Sequence, residues 1–212
     1  SGLDPEALRY YFAVKTGDNG DSHNHNDVGS LILYKDGRPF LIDVGVESYS
    51  ARTFSPRRYE IWTMQSAFHN LPTFDGVMQE AGGNFAAGDV DVAFGENEAR
   101  ISMDLAGAYP PAAALRSYRR TIRLLNGRGV EVEDLHDGDR AAVLSLMLCF
   151  RPMLTADALH IEGLGDIRLS GAGTPVLEEI AVDDRRLRLA WPARLYRVLI
   201  PFKGHRLTMA VV

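Results

Sequence analysis

The chain has 212 residues, 46% hydrophobic and 24% charged, the balance of an ordinary soluble globular protein long enough for one sizeable β domain. Its net charge of −5 argues against general nucleic-acid binding, which needs a basic footprint. No apolar run reaches the ~20 residues of a membrane-spanning helix, and no basic and apolar leader opens the chain, so neither a span nor a signal peptide is expected. The single cysteine, Cys149, excludes an internal disulfide and, within "VLSLMLCF", reads as a buried thiol.

Period-2 patterns dominate from the start. "LRYYFAVKT" (8–16), "VGSLILY" (28–34) and "PFLIDVGV" (39–46) read as strands, with Asp36-Gly37 as a hairpin turn between the last two. Asp75-Gly76 and Asn126-Gly127 mark two further hairpins. "DVDVAF", "EARISMDL", "YRRTIRLL", "VEVEDL", "AVLSLMLCF", "DIRLS", "RLRLAW", "RLYRVLIPF" and "RLTMAVV" complete the strand candidates. In "YRRTIRLL" the alternation of charge with apolar residues predicts one wet face. Only residues 4–11 and 56–67 suggest helical turns, with Pro5 and Pro56 near first-turn positions. "LAGAYPPAAAL" (105–115) reads as a connector between two groups of sheets. The expectation is an all-β antiparallel sandwich. Residues 1–105 form its first half, with the cleft, and 106–212 form a second group of strands in the same domain.

Residues 47–70, "ESYSARTFSPRRYEIWTMQSAFHN", break the pattern. A long connection rich in aromatics and arginine is more often functional than disordered. Tyr49, Arg52, Arg57, Arg58 and Tyr59 read either as a solvated face or as a surface for an acidic sugar, since arginine pairs bidentately with carboxylate or sulfate.

The chemistry concentrates in "SHNHND" (22–27). If this stretch is extended, His23 and His25 share one side. His25, Asp43 and His69 would supply two imidazoles and a carboxylate, a donor set typical of zinc with an open fourth position; Asp27 lies close in sequence. A plain two-residue hairpin at Asp36-Gly37 places Asp43 opposite Ser30 and leaves His25 about 17 Å further along, at ~3.4 Å per residue. The ligands meet only if the chain bends back at Gly29 or Gly20. The bland alternative stays open: solvated histidines, Asp43 capping a turn, and His69 packed among Trp62, Phe68 and Phe74. His136, His160 and His205 sit in polar, turn-like contexts and suggest no site. There is no GxSxG, P-loop, GxGxxG or CxxC motif.

The run from Ser22 to Gln79, with HNHND, a strand ending in IDVG and a later HN-L-P, resembles the heparinase II/III-like polysaccharide lyases. Members join a helical toroid to antiparallel β-sheet domains and cleave uronic-acid polysaccharides by β-elimination. The resemblance implies that this chain is the β-sheet part, without the toroid and inactive alone, and that its partners are an acidic polysaccharide and the toroid domain. It also implies a secreted or periplasmic setting. Position by position, His25, Asp43 and His69 match the family's zinc ligands, and His23 matches a histidine lining the cleft near the uronate. Tyr59 or Tyr49 could reach that cleft, Tyr59 as a proton-transfer residue and Tyr49 beside Arg52, Arg57 and Arg58 as substrate contacts. The rival reading is a carbohydrate-binding or assembly module with no chemistry of its own.

Overall fold

Asp36 and Gly37 take φ values of 52° and 74°, and Asp75 and Gly76 take 48° and 79°. Two successive positive-φ residues make a type I′ turn, whose twist matches that of the strands it joins. Both Asp-Gly hairpins therefore form as the sequence predicts. The computed structural model describes residues 10–22, 24–126 and 128–212. Gly127, His23 and most of the expected helical turn at 4–11 lie outside the described residues. The third hairpin does form, but Leu125 pairs with Gly129 across a three-residue turn instead of a two-residue one.

In chain order the strands are β1 (Tyr10–Val14), β2 (Asp18–Asn19), β3 (Leu31–Lys35), β4 (Arg38–Leu41), β5 (Pro72–Phe74), β6 (Gly82–Ala86), β7 (Gly88–Phe94), β8 (Glu98–Asp104) and β9 (Leu115–Leu125). They continue as β10 (Gly129–Gly138), β11 (Ala142–Leu148), β12 (Met153–Leu154), β13 (Ala158–Ile161), β14 (Gly165–Ser170), β15 (Val176–Ala181), β16 (Arg194–Pro201) and β17 (Arg206–Val211). An eight-stranded sheet runs β12-β13-β14-β17-β10-β9-β8-β7. A four-stranded sheet runs β15-β16-β11-β5, a three-stranded one β1-β3-β4, and β2 pairs with β6. Every pairing is antiparallel. The fold is an all-β antiparallel sandwich. One core cluster joins Leu31, Leu33 and Phe40 of the small sheet to Leu144, Leu146 and Val198 of the four-stranded sheet and to Val132, Ile167 and Met209 of the large one.

Three expectations need correction. "RLRLAW" forms a 3-10 turn at Leu187–Leu189, not a strand, because Asp184 Oδ1 accepts the N–H groups of Arg186 and Leu187 and starts a turn there. Residues 105–115 hold two 3-10 turns and join β8 to β9, neighbours in one sheet, so they do not connect two sheet groups. Ala108, Ala113 and Tyr109 are buried in one cluster with Phe74 and Tyr118, which explains much of the apolar content of the loop. His136 is not a surface residue. It lies on the inward face of β10, packed against Phe74, Phe202 and His205.

Residues 47–70 carry four short 3-10 turns: Ala51–Phe54, Pro56–Glu60, Trp62–Met64 and Ser66–Phe68. Pro56 stands at the start of the second, where its missing N–H costs nothing. Specific contacts hold the loop down. Trp62 Nε1 donates to Glu47 Oε1 at 2.6 Å, and Arg197, ion-paired to Glu178, stacks over Phe68 and donates to the Ala67 carbonyl.

Candidate metal centre

The bend needed to bring the histidines to Asp43 lies at Gly29. Its φ is +87°, and a Cβ there would lie 2.4 Å from Leu105 Cδ1, so any other residue would be strained and would push a buried leucine aside. The Ser30 N–H donates to the Asp27 carbonyl at 2.9 Å, and the Gly29 N–H to the Lys15 carbonyl at 2.8 Å. This turn folds residues 24–27 back instead of letting them extend β3. The other strand deviates as well. The β3–β4 ladder shifts by one residue at Leu33 and ends at Leu41, so Asp43 does not pair with Ser30. Ile42 instead donates its N–H to the Met147 carbonyl of β11. Asp43 emerges between two sheets.

Four side chains converge as a result: His25, Asp27, Asp43 and His69 each offer one donor atom, all within 4.8 Å of one another. The His25 and His69 ring centroids are 5.2 Å apart. Asp43 Oδ1 accepts the Gly45 N–H at 2.7 Å, while Oδ2 lies 3.1 Å from His69 Nδ1. His69 is 1% exposed, yet neither of its ring nitrogens has a partner in hydrogen-bond geometry. A buried imidazole without partners costs free energy unless something else satisfies it. Two imidazoles and two carboxylates whose donor atoms lie within 4.8 Å of one another fit a divalent cation.

The electrostatics agree with that geometry. Burial, and then the neighbouring His69, lower the pKa of His25. Burial would raise the pKa of Asp43, but His69, His25 and the Gly45 N–H outweigh it and hold the carboxyl well below its usual range. Complete burial would lower His69, yet the Asp43 carboxylate prevails and raises it. Asp27 accepts from Lys15 Nζ at 2.5 Å.

A shell of buried polar groups fixes these segments. Asn70 Nδ2 donates to the carbonyls of Leu31 at 2.7 Å and Ile42 at 3.0 Å, and Asn70 Oδ1 accepts from the Met147 N–H at 2.8 Å. Gln79 bridges Asn19 and both backbone groups of Val28. The long loop joins in through the Asn26 N–H, which donates to the Met64 carbonyl at 3.0 Å.

The remaining residues singled out in the sequence are spread more widely. His23 lies outside the described residues. Tyr59 donates its hydroxyl to Asn24 Oδ1 at 3.1 Å and lines a cavity of about 350 Å³ with Asn26, Gln65 and Gln79. Arg58 is used internally, donating from Nε and Nη2 to the Asn24 carbonyl at 3.2 and 2.8 Å. Arg57 is paired bidentately with Glu60 at the surface. Arg52 is exposed, and Tyr49 is an exposed ring packed on Phe54 and under Arg186. No hydrogen bond joins either to the histidine cluster among the described residues. A second cavity, of about 310 Å³, is lined by Lys15, Asp27, Ser30, Ile32 and Asp43, so the two carboxylates of the cluster open onto it.

Sequence reasoning treated Asp27 only as a neighbour and missed Asn70, Gln79, Lys15 and Arg120. Arg120 had a legible signal: it shares the parity of Tyr118 and Ile122 in β9 and so points inward, not to the wet face. It is fully buried and paired with Asp134 of β10 at 2.7 Å.

The profile of the family described as "Heparinase II/III-like, C-terminal" matches residues 6–160, which include the whole cluster. The chain belongs to this family. No curated protein sequence matches it significantly. Among solved structures, the heparan sulfate lyase HepC from Pedobacter heparinus is similar at 19% identity and a TM-score of 0.72, over 94% of this chain and 32% of that one. A structure of heparinase III is similar at 18% identity and a TM-score of 0.67, over 95% and 33%. A second heparinase III gene product covers all of this chain and 35% of its own, at 15% identity and a TM-score of 0.68. At these identities the likeness establishes the fold. The chain spans about a third of the length of each of these proteins. Among the described residues no helix is long and apolar enough to cross a membrane.

Proposed function

We propose that this chain is the β-sheet domain of a polysaccharide lyase that cleaves a uronic-acid polymer by β-elimination, with one zinc ion held by His25, Asp43 and His69. The observation that carries the reading is the convergence of those residues, with neither His69 nitrogen in good hydrogen-bond geometry, inside the segment that matches the family. Asp27 stands beside them as a fourth donor or as a screened neighbour paired to Lys15. When bound, zinc supplies positive charge and fixed coordination that pin the ligand-bearing segments together.

The chain's own residues then shape one wall of a cleft. β-Elimination removes the proton α to the uronate carboxylate and expels the 4-linked sugar, so positive or hydrogen-bonding groups must meet the developing negative charge. We assign His23 to that carboxylate. We assign proton transfer to the Tyr59 hydroxyl; its hydrogen bond to Asn24 Oδ1, the residue after His23 in sequence, supports that reading. Exposed Arg52 and the Tyr49 hydroxyl are the loop groups we assign to an acidic sugar, whereas Arg57 and Arg58 are already paired. The main catalytic base belongs to the rest of the lyase, beyond these residues, and the setting is secreted or periplasmic.

The test is the absorbance of the new C4–C5 double bond on uronate polymers, with this chain alone, the complete lyase, and its His23→Ala variant. The reading predicts turnover by the complete lyase, a large loss in His23→Ala without loss of fold, and none by the isolated chain. Sugar binding without any turnover by the complete protein would favour a carbohydrate-binding module instead.

A further inference from the structure

β9 and β10 place Arg120 directly across from Asp134 in the ladder. The guanidinium donates from Nε to Asp134 Oδ1 and from Nη2 to Oδ2, both at 2.7 Å, and Tyr118 donates its hydroxyl to the same carboxylate at 3.0 Å. Nη1 then reaches two separate loops, donating to the Gly29 carbonyl at 2.8 Å and the Asn70 carbonyl at 2.7 Å. Gly29 is the bend that returns the chain carrying His25 and Asp27, and Asn70 follows His69. The Asn70 amide reaches on to the Ile42 carbonyl, one residue before Asp43. Every donor segment of the cluster is therefore one or two hydrogen bonds from one guanidinium.

Burial of an ion pair is a poor source of stability, since apolar residues of similar volume often do as well or better. What a planar, bidentately fixed guanidinium supplies is direction: its far edge is held where two carbonyls from different loops must meet it. A lysine ammonium can pair with Asp134 but cannot reproduce that fork.

We propose that Arg120, fixed by Asp134 and relayed through Asn70, is the positioning residue that assembles the metal centre before any ion binds. The proposal rests on the metal reading above, and two measurements keep them apart. The full chain is compared with Arg120→Lys, with the double variant Arg120→Met/Asp134→Leu that removes the pair as a unit, and with Leu159→Ala. Leu159 is a buried residue of β13, three strands from β10 and so about 14 Å away at ~4.8 Å per strand, and it reports destabilisation alone. Zinc affinity is read by chelator competition, and hydrogen exchange of residues 24–30 and 66–71 is read in metal-free protein.

Both Arg120 variants should lose about 10–100-fold in affinity, the usual size for groups that orient metal ligands. Their two segments should exchange faster together, while Leu159→Ala binds zinc like the parent chain. Parental affinity and exchange in a folded Arg120 variant would overturn the proposal, as would an equal loss in Leu159→Ala. If the double variant does not fold, Arg120→Lys decides. If the parent chain binds no zinc, the metal reading fails, and the exchange of the two segments alone decides the role of Arg120.

Discussion

Two buried polar clusters lie within a few residues of each other and differ in one respect. Around Arg120 and Asp134, the carboxylate meets three donors and the guanidinium meets Asp134 and two carbonyls. Around His69, an equally buried side chain has only a loosely aligned 3.1 Å contact from Nδ1 to Asp43 Oδ2, beside two carboxylates that open onto a cavity. A satisfied buried network is an element of architecture, whereas an unsatisfied one has room for something the chain does not itself provide. The same contrast separates Arg58 and Arg57, which are occupied, from Arg52, which is exposed.

Breaking the closed cluster should have the largest effect on stability. Asp134→Ala leaves the Arg120 charge buried and unpaired, which costs about 3–5 kcal/mol. For a chain of this size that lowers Tm by roughly 6–20 °C, at about 2–4 °C per kcal/mol. Thermal unfolding checks it, and a Tm within two or three degrees of the parent would show that the pair is less buried than described.

The open cluster should respond in the opposite way. His69→Ala removes one ion-pair contact, with Asp43, beside a carboxylate that opens onto a cavity, so metal-free stability should change less than in Asp134→Ala. The parent chain should gain about 4 kcal/mol of stability at a zinc concentration 1,000 times Kd, and the variant should gain almost nothing. Calorimetric melts with and without zinc separate the two, and an equal zinc-induced rise in both would move the site elsewhere.

Smaller effects sharpen the picture at the edges. Tyr59→Phe deletes one partly buried hydrogen bond, to Asn24 Oδ1, worth about 1 kcal/mol, and should leave zinc affinity unchanged while lowering turnover in the complete lyase. Arg57→Ala removes a solvent-exposed pair with Glu60 and should shift neither Tm nor zinc binding measurably. A clear loss in the latter would mean that Arg57 has a partner beyond Glu60.

Much of this was readable in advance, for reasons that are local. Asp36-Gly37 and Asp75-Gly76 announce their turns because both residues tolerate positive φ. Gly29 is a candidate bend for the same reason, and the structure adds Leu105 against it, so a side chain there would both strain the backbone and displace a buried leucine. The family motif brings His25, Asp43 and His69 together, where hairpin spacing alone puts His25 about 17 Å from Asp43. The strand "PFLIDVGV" was read too long because its apolar residues serve two sheets: Leu41 ends one ladder and Ile42 joins another. Arg120, Asn70 and His136 were missed because polar residues default to the surface, and their burial depends on partners 14 to 91 residues away. Of the three, Arg120 alone has a local trace, its parity with Tyr118 and Ile122 in β9.

The central claim is that the His25, Asp43 and His69 cluster holds a metal. Its most direct test is elemental analysis of the full chain after gentle purification, paired with anomalous scattering from a crystal at the zinc edge. About one zinc per chain is expected, with the anomalous peak between the His25 and His69 rings, and its loss in His69→Ala. A metal-free protein that binds no zinc on titration, or a peak at any other place, would contradict it.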